Sequence, residues 1–236
     1  MLATMAMVAL EELRFNNCGL GVAGGQIIGA GLEDLDALIR SENLRPKLRV
    51  LIAGRNRQEV GGSAAFATAF TKLRSLEEIT LHQNGITWKG AVALAECFKV
   101  NPNIRLINLN DNILTERGAM AIAESIEMLP KLEVLDLGDC LCRTDGLLKL
   151  AASLSKCPLI KELDFSFSEV RIDAAMELLG SINIDQLTKL NLDGNKFGDE
   201  ACEELQVSFC SNYICSHGDH DSDALRGFQL KSNTFR

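Results

Sequence analysis

Residues 104–126 read IRLINLNDNILTERGAMAIAESI, and two periodicities meet inside them. Around Ile107, alternate residues Ile107 and Leu109 are apolar while Asn108 and Asn110 are polar, the pattern of a short strand with one face turned inward. From Ala119 onward, Ala119, Ile122, Ala123 and Ile126 fall at i, i+3, i+4 and i+7, the stripe of an amphipathic helix. Working outward from Asn112, the same order of strand, turn and helix recurs along the chain. Cys18, Asn56, Asn84, Asn112, Cys140, Ser168 and Asn195 are separated in turn by 38, 28, 28, 28, 28 and 27 residues. Eight residues before these markers stand Leu10, Leu48, Leu76, Ile104, Leu132, Ile160 and Leu187, and five before stand Leu13, Leu51, Ile79, Ile107, Leu135, Leu163 and Leu190. Every one is aliphatic. Gly24, Gly62, Gly90, Gly118 and Gly146, then Ala174 and Ala201, follow six residues after.

The pattern LxxLxLxxN/CxL is that of a leucine-rich repeat. The marker amide or thiol is expected to turn inward after the strand and bond loop backbone, repeat upon repeat. The small residue six later lets the chain enter its helix in close packing. Units of about 28 residues imply an α/β solenoid of the ribonuclease-inhibitor type. That is a right-handed horseshoe with a parallel inner sheet and outer helices. Residues 1–209 form this domain, with about seven repeats, and 210–236 are expected as an irregular C-terminal tail. The first interval carries ten extra residues near Leu38 to Pro46, a surface loop or a longer helix. No polar capping unit precedes Leu10, so the repeats read as part of a longer solenoid.

Composition narrows the function. The net charge of −8 argues against nucleic acid and anionic membrane as partners. No apolar run is long enough to span a bilayer. Eight cysteines could suggest disulfides. Cys18 and Cys140 fall on ladder positions, Cys97 and Cys202 on or beside helix stripes, and Cys142 on an apolar position, which fits reduced thiols.

Candidate chemistry is sparse. Residues 19–24, GLGVAG, match GxGxxG, yet Gly24 is the recurrent repeat glycine and Leu20 the recurrent apolar residue after the marker. Cys210, Cys215, His217 and His220 cluster in the tail at a spacing that matches no common zinc module. His82 has Gly54 and Asn110 as its strand neighbours, which disfavours a hydrolytic triad. Neither a metal nor a cofactor is expected.

The informative residues sit four, two and one before each marker, on the open sheet face and the strand-exit edge. Arg14, Asn16, Asn17, Arg55 and Arg57 mark the first two repeats. Gln83, Asn110, Asp111, Asp136, Asp139, Asp164 and Asp193 follow. An acidic run across the later repeats, with no basic residue in that lane, would suit a partner with a basic surface.

The strings LEELRFNNCGLGVAGG, LIAGRNR, HQNGI, LINLNDNILTERGAMAIAE and GDC closely resemble the Ran GTPase-activating protein family, from about Leu10 to Leu205. NNCGLG and AGRNR carry polar residues that the repeat itself does not demand. The resemblance implies an accessory that binds the small GTPase Ran in its GTP state and stimulates hydrolysis by positioning the GTPase's own glutamine. It implies a positioning role for Asn17, with Asn16 as fallback, and partner contacts for Arg55, Arg57, Gln83, Asn110, Asp111 and Asp139. It further implies a monomer without cofactor, acting in nucleocytoplasmic transport. The expected location is the cytoplasm, or the nuclear envelope or pore in a full-length form. Family members carry further repeats upstream, a long acidic segment and a C-terminal domain, so the chain reads as a fragment. The alternative is a non-catalytic scaffold or inhibitor that holds a basic protein on its acidic face.

Overall fold

The computed structural model describes residues 7–195, residue 197 and the backbone of residues 228–229. Strands of three residues alternate with helices. They are β1 (Glu12–Arg14), α1 (Gly21–Ser41), β2 (Val50–Ile52), α2 (Glu59–Leu73), β3 (Glu78–Thr80) and α3 (Trp88–Lys99). There follow β4 (Leu106–Asn108), α4 (Thr115–Ile126), β5 (Val134–Asp136), α5 (Arg143–Leu154), β6 (Glu162–Asp164), α6 (Ile172–Ser181) and β7 (Lys189–Asn191). All pair in parallel and in sequence order, with Leu13, Leu51, Ile79, Ile107, Leu135, Leu163 and Leu190 in one register. This is the α/β leucine-rich repeat solenoid. The backbone of Phe228–Gln229 adds a short parallel strand, β8, beside β7, inside the stretch expected to be irregular. An open parallel edge offers unpaired amides and carbonyls that such a segment can take up. The remainder of 210–236, including Cys210, Cys215, His217 and His220, lies outside the described residues, as does Cys202.

The core lies between sheet and helices. Residues five and three before the markers are buried from the second repeat on, packed on Phe66, Phe70 and Phe98 and on the helix stripes. The recurrent glycine works by proximity. A Cβ on Gly118 would stand 3.1 Å from Ala91 Cβ, and one on Gly146 would stand 2.9 Å from Ala119 Cβ, so neighbouring helices could not approach as closely with alanine there. The ten extra residues of the first interval lengthen α1, which has 21 residues where α3, α4 and α5 have 12, and extend the loop after it.

The markers form the expected ladder. Asn56, Asn84 and Asn112 are buried, and each Oδ1 accepts the N–H of the preceding marker, at 2.8, 2.9 and 3.1 Å. Each Nδ2 donates to carbonyls of its own and the preceding repeat. Cys140 and Ser168 occupy the same place and donate to Leu109 O and Leu137 O. Cys18 departs from this reading. Its N–H bonds Asn56 Oδ1, but its thiol is exposed and reaches only Asn16 O, because no strand pairs outside β1 among the described residues. Burial pushes the thiols of Cys97 and Cys142 up to about 12 and that of Cys157 to about 11, so they pack as small apolar groups.

One ladder neighbour breaks the pattern. Two residues past the marker, Leu20, Ile86, Leu114, Cys142 and Val170 are apolar, whereas the second repeat has Gln58. Gln58 is fully buried, and neither its Nε2 nor its Oε1 has a partner among the described residues. The amide occupies space left by glycines, since a Cβ on Gly25 would fall 1.8 Å from its Oε1 and one on Gly62 2.1 Å from it. A buried amide without partners costs about 1–3 kcal/mol. Gln58→Met, close in volume, is expected to raise the unfolding free energy by about 1–2 kcal/mol in urea denaturation. A lower midpoint would mean that the amide is satisfied.

Candidate functional site

The strand-exit edge is built by one repeated backbone device. The residue before each marker is left-handed in all seven repeats: Asn17, Arg55, Gln83, Asp111, Asp139 and Phe167 have φ between 50° and 59°, and Gly194 has 73°. The N–H of each of the first six donates to the carbonyl two before the next repeat's marker, at 2.7–2.9 Å. This fixes the backbone and turns the side chain away from the core. L-residues adopt this conformation at a cost, asparagine and aspartate least, which suits Asn17, Asp111 and Asp139. Left-handed positions also recur past the marker, at Gly19, Arg57, Gly85, Leu141 and Glu169 and at Gly21, Glu59, Thr115 and Arg143. The glycines of GLGVAG therefore repeat a loop shape that other repeats build from other residues.

The edge brings the expected residues into one row. Asn17, Arg55, Gln83, Asp111 and Asp139 follow one per repeat, so the row from Asn17 to Asp139 covers four strand spacings, about 19 Å. Asn16 and Asn17 differ in what they are free to do. Asn16 Oδ1 accepts the Gly54 N–H at 2.7 Å, whereas the exposed Asn17 amide has no hydrogen bond among the described residues. Arg55 and Arg57 are exposed and have no ion pair among the described residues. The opposite, strand-start edge is paired across repeats, with Arg49 between Glu11 and Glu77 and Lys161 on Glu133. On the exit side, Arg55 and Arg57 thus stand without such partners.

Asn110 belongs to a different group. Its Nδ2 donates to Asp136 Oδ1 at 3.1 Å, while Asn108 Nδ2 donates to Asp136 Oδ2 at 2.9 Å. Beside them, Asp164 Oδ1 accepts from the Ser166 hydroxyl at 2.6 Å and Asp164 Oδ2 from Asn191 Nδ2 at 2.7 Å. Gly138 makes room, since a Cβ there would crowd Asn110, Asp164 and Ser166. Gly54 likewise leaves space for the His82 ring. The acidic run is therefore narrower than the sequence suggested: Asp136 and Asp164 are tied within the sheet face. Lys189 also stands 3.9 Å from Asp164 on that face, in a lane the sequence reading left out. Leu106 and Val134 form half-buried apolar floor next to them, in a hollow of about 240 Å³.

Burial pushes the Asp136 carboxyl above its ordinary value, and the adjacent Asp164 charge adds to the shift. A raised carboxyl favours its protonated form in the fold. That contribution to stability is complete below the ordinary carboxylate range and is lost as pH rises through the raised value. Asp136→Asn removes the titration. The variant should therefore gain melting temperature relative to the parent between acid and neutral pH. A difference that stays constant over that range would leave the Asp136 charge without a part in stability.

Comparison with known proteins adds to this geometry. The leucine-rich repeat family matches residues 187–210. Ran GTPase-activating protein 1 of Xenopus laevis is 43% identical over 77 residues, 33% of this chain and 13% of that protein. Ran GTPase-activating protein of Drosophila melanogaster is 44% identical over 82 residues, 35% and 14% of the two chains. Ran GTPase-activating protein 2 of Caenorhabditis elegans is 44% identical over 85 residues, 36% of this chain and 9% of that protein. The matched stretch thus spans about a seventh or less of each relative's length. Register, ladder and these similarities together make the chain a leucine-rich repeat protein similar, over about a third of its length, to Ran GTPase-activating proteins.

Proposed function

We propose that the chain stimulates GTP hydrolysis by the small GTPase Ran, binding Ran in its GTP state along the strand-exit edge. The observation that carries this reading is the identity of 43–44% to three proteins named for that activity. The free amide of Asn17 supports it. An asparagine amide donates and accepts at once, so it can hold a glutamine side chain and orient the attacking water through it. Asn17 is the positioning residue; Asn16, with its carbonyl oxygen engaged by Gly54, is the fallback. Arg55, Arg57, Gln83, Asp111 and Asp139 contact the GTPase from the same row, and Asn110 acts from the sheet face behind it. The chain works as a monomer and supplies no cofactor; the magnesium belongs to Ran's nucleotide. The activity serves nucleocytoplasmic transport from the cytoplasm or the nuclear envelope. The alternative, a scaffold for a basic protein, has less to draw on, because Asp136 and Asp164 use their oxygens within the sheet face.

The test is single-turnover hydrolysis of Ran-bound GTP with and without the full chain. Acceleration above the intrinsic rate supports the proposal. Binding that ignores whether Ran holds GTP or GDP, without acceleration, would favour the scaffold.

A further inference from the structure

Trp88, the chain's only tryptophan, opens α3 on the helix-start side of the solenoid, and no residue proposed for the GTPase contact lies in its cluster. It is 36% exposed. Lys89 Nζ lies 5.7 Å and Arg117 Cζ 5.6 Å from its ring centroid, so cations of two successive repeats lie against one aromatic ring. Neither cation has an ion pair among the described residues, although Lys99 at the other end of α3 meets Glu96, and Lys156, just past α5, meets Glu127. Apolar surface continues from the ring. Val92, one turn on in α3, is 39% exposed, and Ile113 is 52% exposed. Ile113 is held beside the start of α3 by its N–H to Ile86 O and by its bridge to Thr87. These are three of the ten large apolar side chains exposed among the described residues, gathered with two unpaired cations on a chain of net charge −8.

We propose that this patch docks an acidic segment of a protein partner. An apolar side chain of that segment sits against Trp88, Val92 and Ile113, while its carboxylates reach Lys89 and Arg117. Tryptophan and arginine are the side chains that most often anchor such contacts. Charge complementarity selects an acidic peptide; a long polyphosphate would meet repulsion from the acidic remainder of the chain. The proposal goes beyond the GTPase reading and does not depend on it.

Because Trp88 is the sole tryptophan, its emission reports on this site directly. The full chain would be titrated with a short synthetic peptide of aspartates and glutamates around one leucine. A lysine peptide of equal length is the control. A saturable change in emission with the acidic peptide alone, weakened by added salt, is expected. Lys89→Glu with Arg117→Glu, both exposed, should weaken it by about tenfold or more. Circular dichroism checks that this variant keeps its helices. No saturable change, equal affinity of the charge-reversed variant, or tighter binding of a single-stranded oligonucleotide would each overturn the proposal. No GTPase is present, so failure here leaves the hydrolysis test untouched.

Discussion

Asn84→Ala is expected to lower the unfolding free energy by about 3 kcal/mol, among the larger losses a single side chain can cause here. Asn84 is fully buried, and its side chain ties the second repeat to the third. Its Oδ1 accepts the Asn56 N–H at 2.9 Å, and its Nδ2 donates to Ala53 O and Leu81 O, each at 2.9 Å. The two carbonyls keep a second donor, since Asn56 Nδ2 also reaches Ala53 O and Asn112 Nδ2 also reaches Leu81 O. The Asn56 N–H loses its acceptor outright, as does the Gln58 N–H, which reaches the same oxygen at 3.4 Å, and a cavity opens beside them. The orphaned donors and the cavity, more than the count of lost bonds, set the magnitude. Asn84→Cys should cost less, because a thiol at this place can still donate to a carbonyl, as Cys140 does to Leu109 O at 3.0 Å. Urea denaturation followed by circular dichroism reads both. Alanine and cysteine variants of equal stability would mean that inward donors do not hold the repeats together. The same change should disturb the exit edge, since Asn84 also bonds His82 O, the carbonyl that receives the Arg55 N–H.

Asn17→Ala should reduce the stimulated rate of Ran-bound GTP hydrolysis by about a hundredfold, the scale of losing one oriented donor at a reacting centre. The substitution removes an exposed side chain without hydrogen bonds among the described residues, so folding should lose only the cost of holding alanine at positive φ, about 1 kcal/mol. Asn16→Ala deprives the Gly54 N–H of its acceptor, and its effect should appear in stability more than in rate. Arg55→Ala and Arg57→Ala should do the converse of Asn17→Ala. They should raise the chain concentration needed for half-maximal stimulation and leave the saturated rate nearly unchanged. Rates at saturating chain separate these outcomes. If Asn17→Ala stimulates as well as the parent, the positioning role passes to another residue of the row.

The repeat was legible because its signal is one-dimensional. Aliphatic residues at fixed distances from Cys18 through Asn195 report burial directly, and the seven parallel strands follow in register. The strand-exit row was legible for the same reason, as positions counted from the marker. What escaped depends on contacts between residues of different repeats. Gly54 reads as a neutral gap until the His82 ring is found over it, and Gly138 until Asn110, Asp164 and Ser166 converge there. Asp136 and Asp164 look like free surface charge in a list of aspartates, yet their asparagine and serine partners neutralise much of that reading. Gln58 sits in the apolar column after the marker and could have been noticed as its polar exception. Lys189 and Leu106 occupy the lane six before the marker, which a strand's alternation places on the open face along with the lane four before it. Trp88 was invisible as a site because Arg117 lies in the next repeat.

The left-handed row has a consequence for how such a surface can change over time. Each repeat contributes one outward residue whose backbone is set by the neighbouring repeat's carbonyl, and whose side chain takes no part in the core. The row therefore behaves like a line of type, one letter per repeat, from asparagine through arginine, glutamine and two aspartates to phenylalanine. A letter can be replaced without resetting the frame that holds it, provided the new residue tolerates positive φ. Recognition along this edge can thus drift letter by letter while the solenoid beneath stays the same.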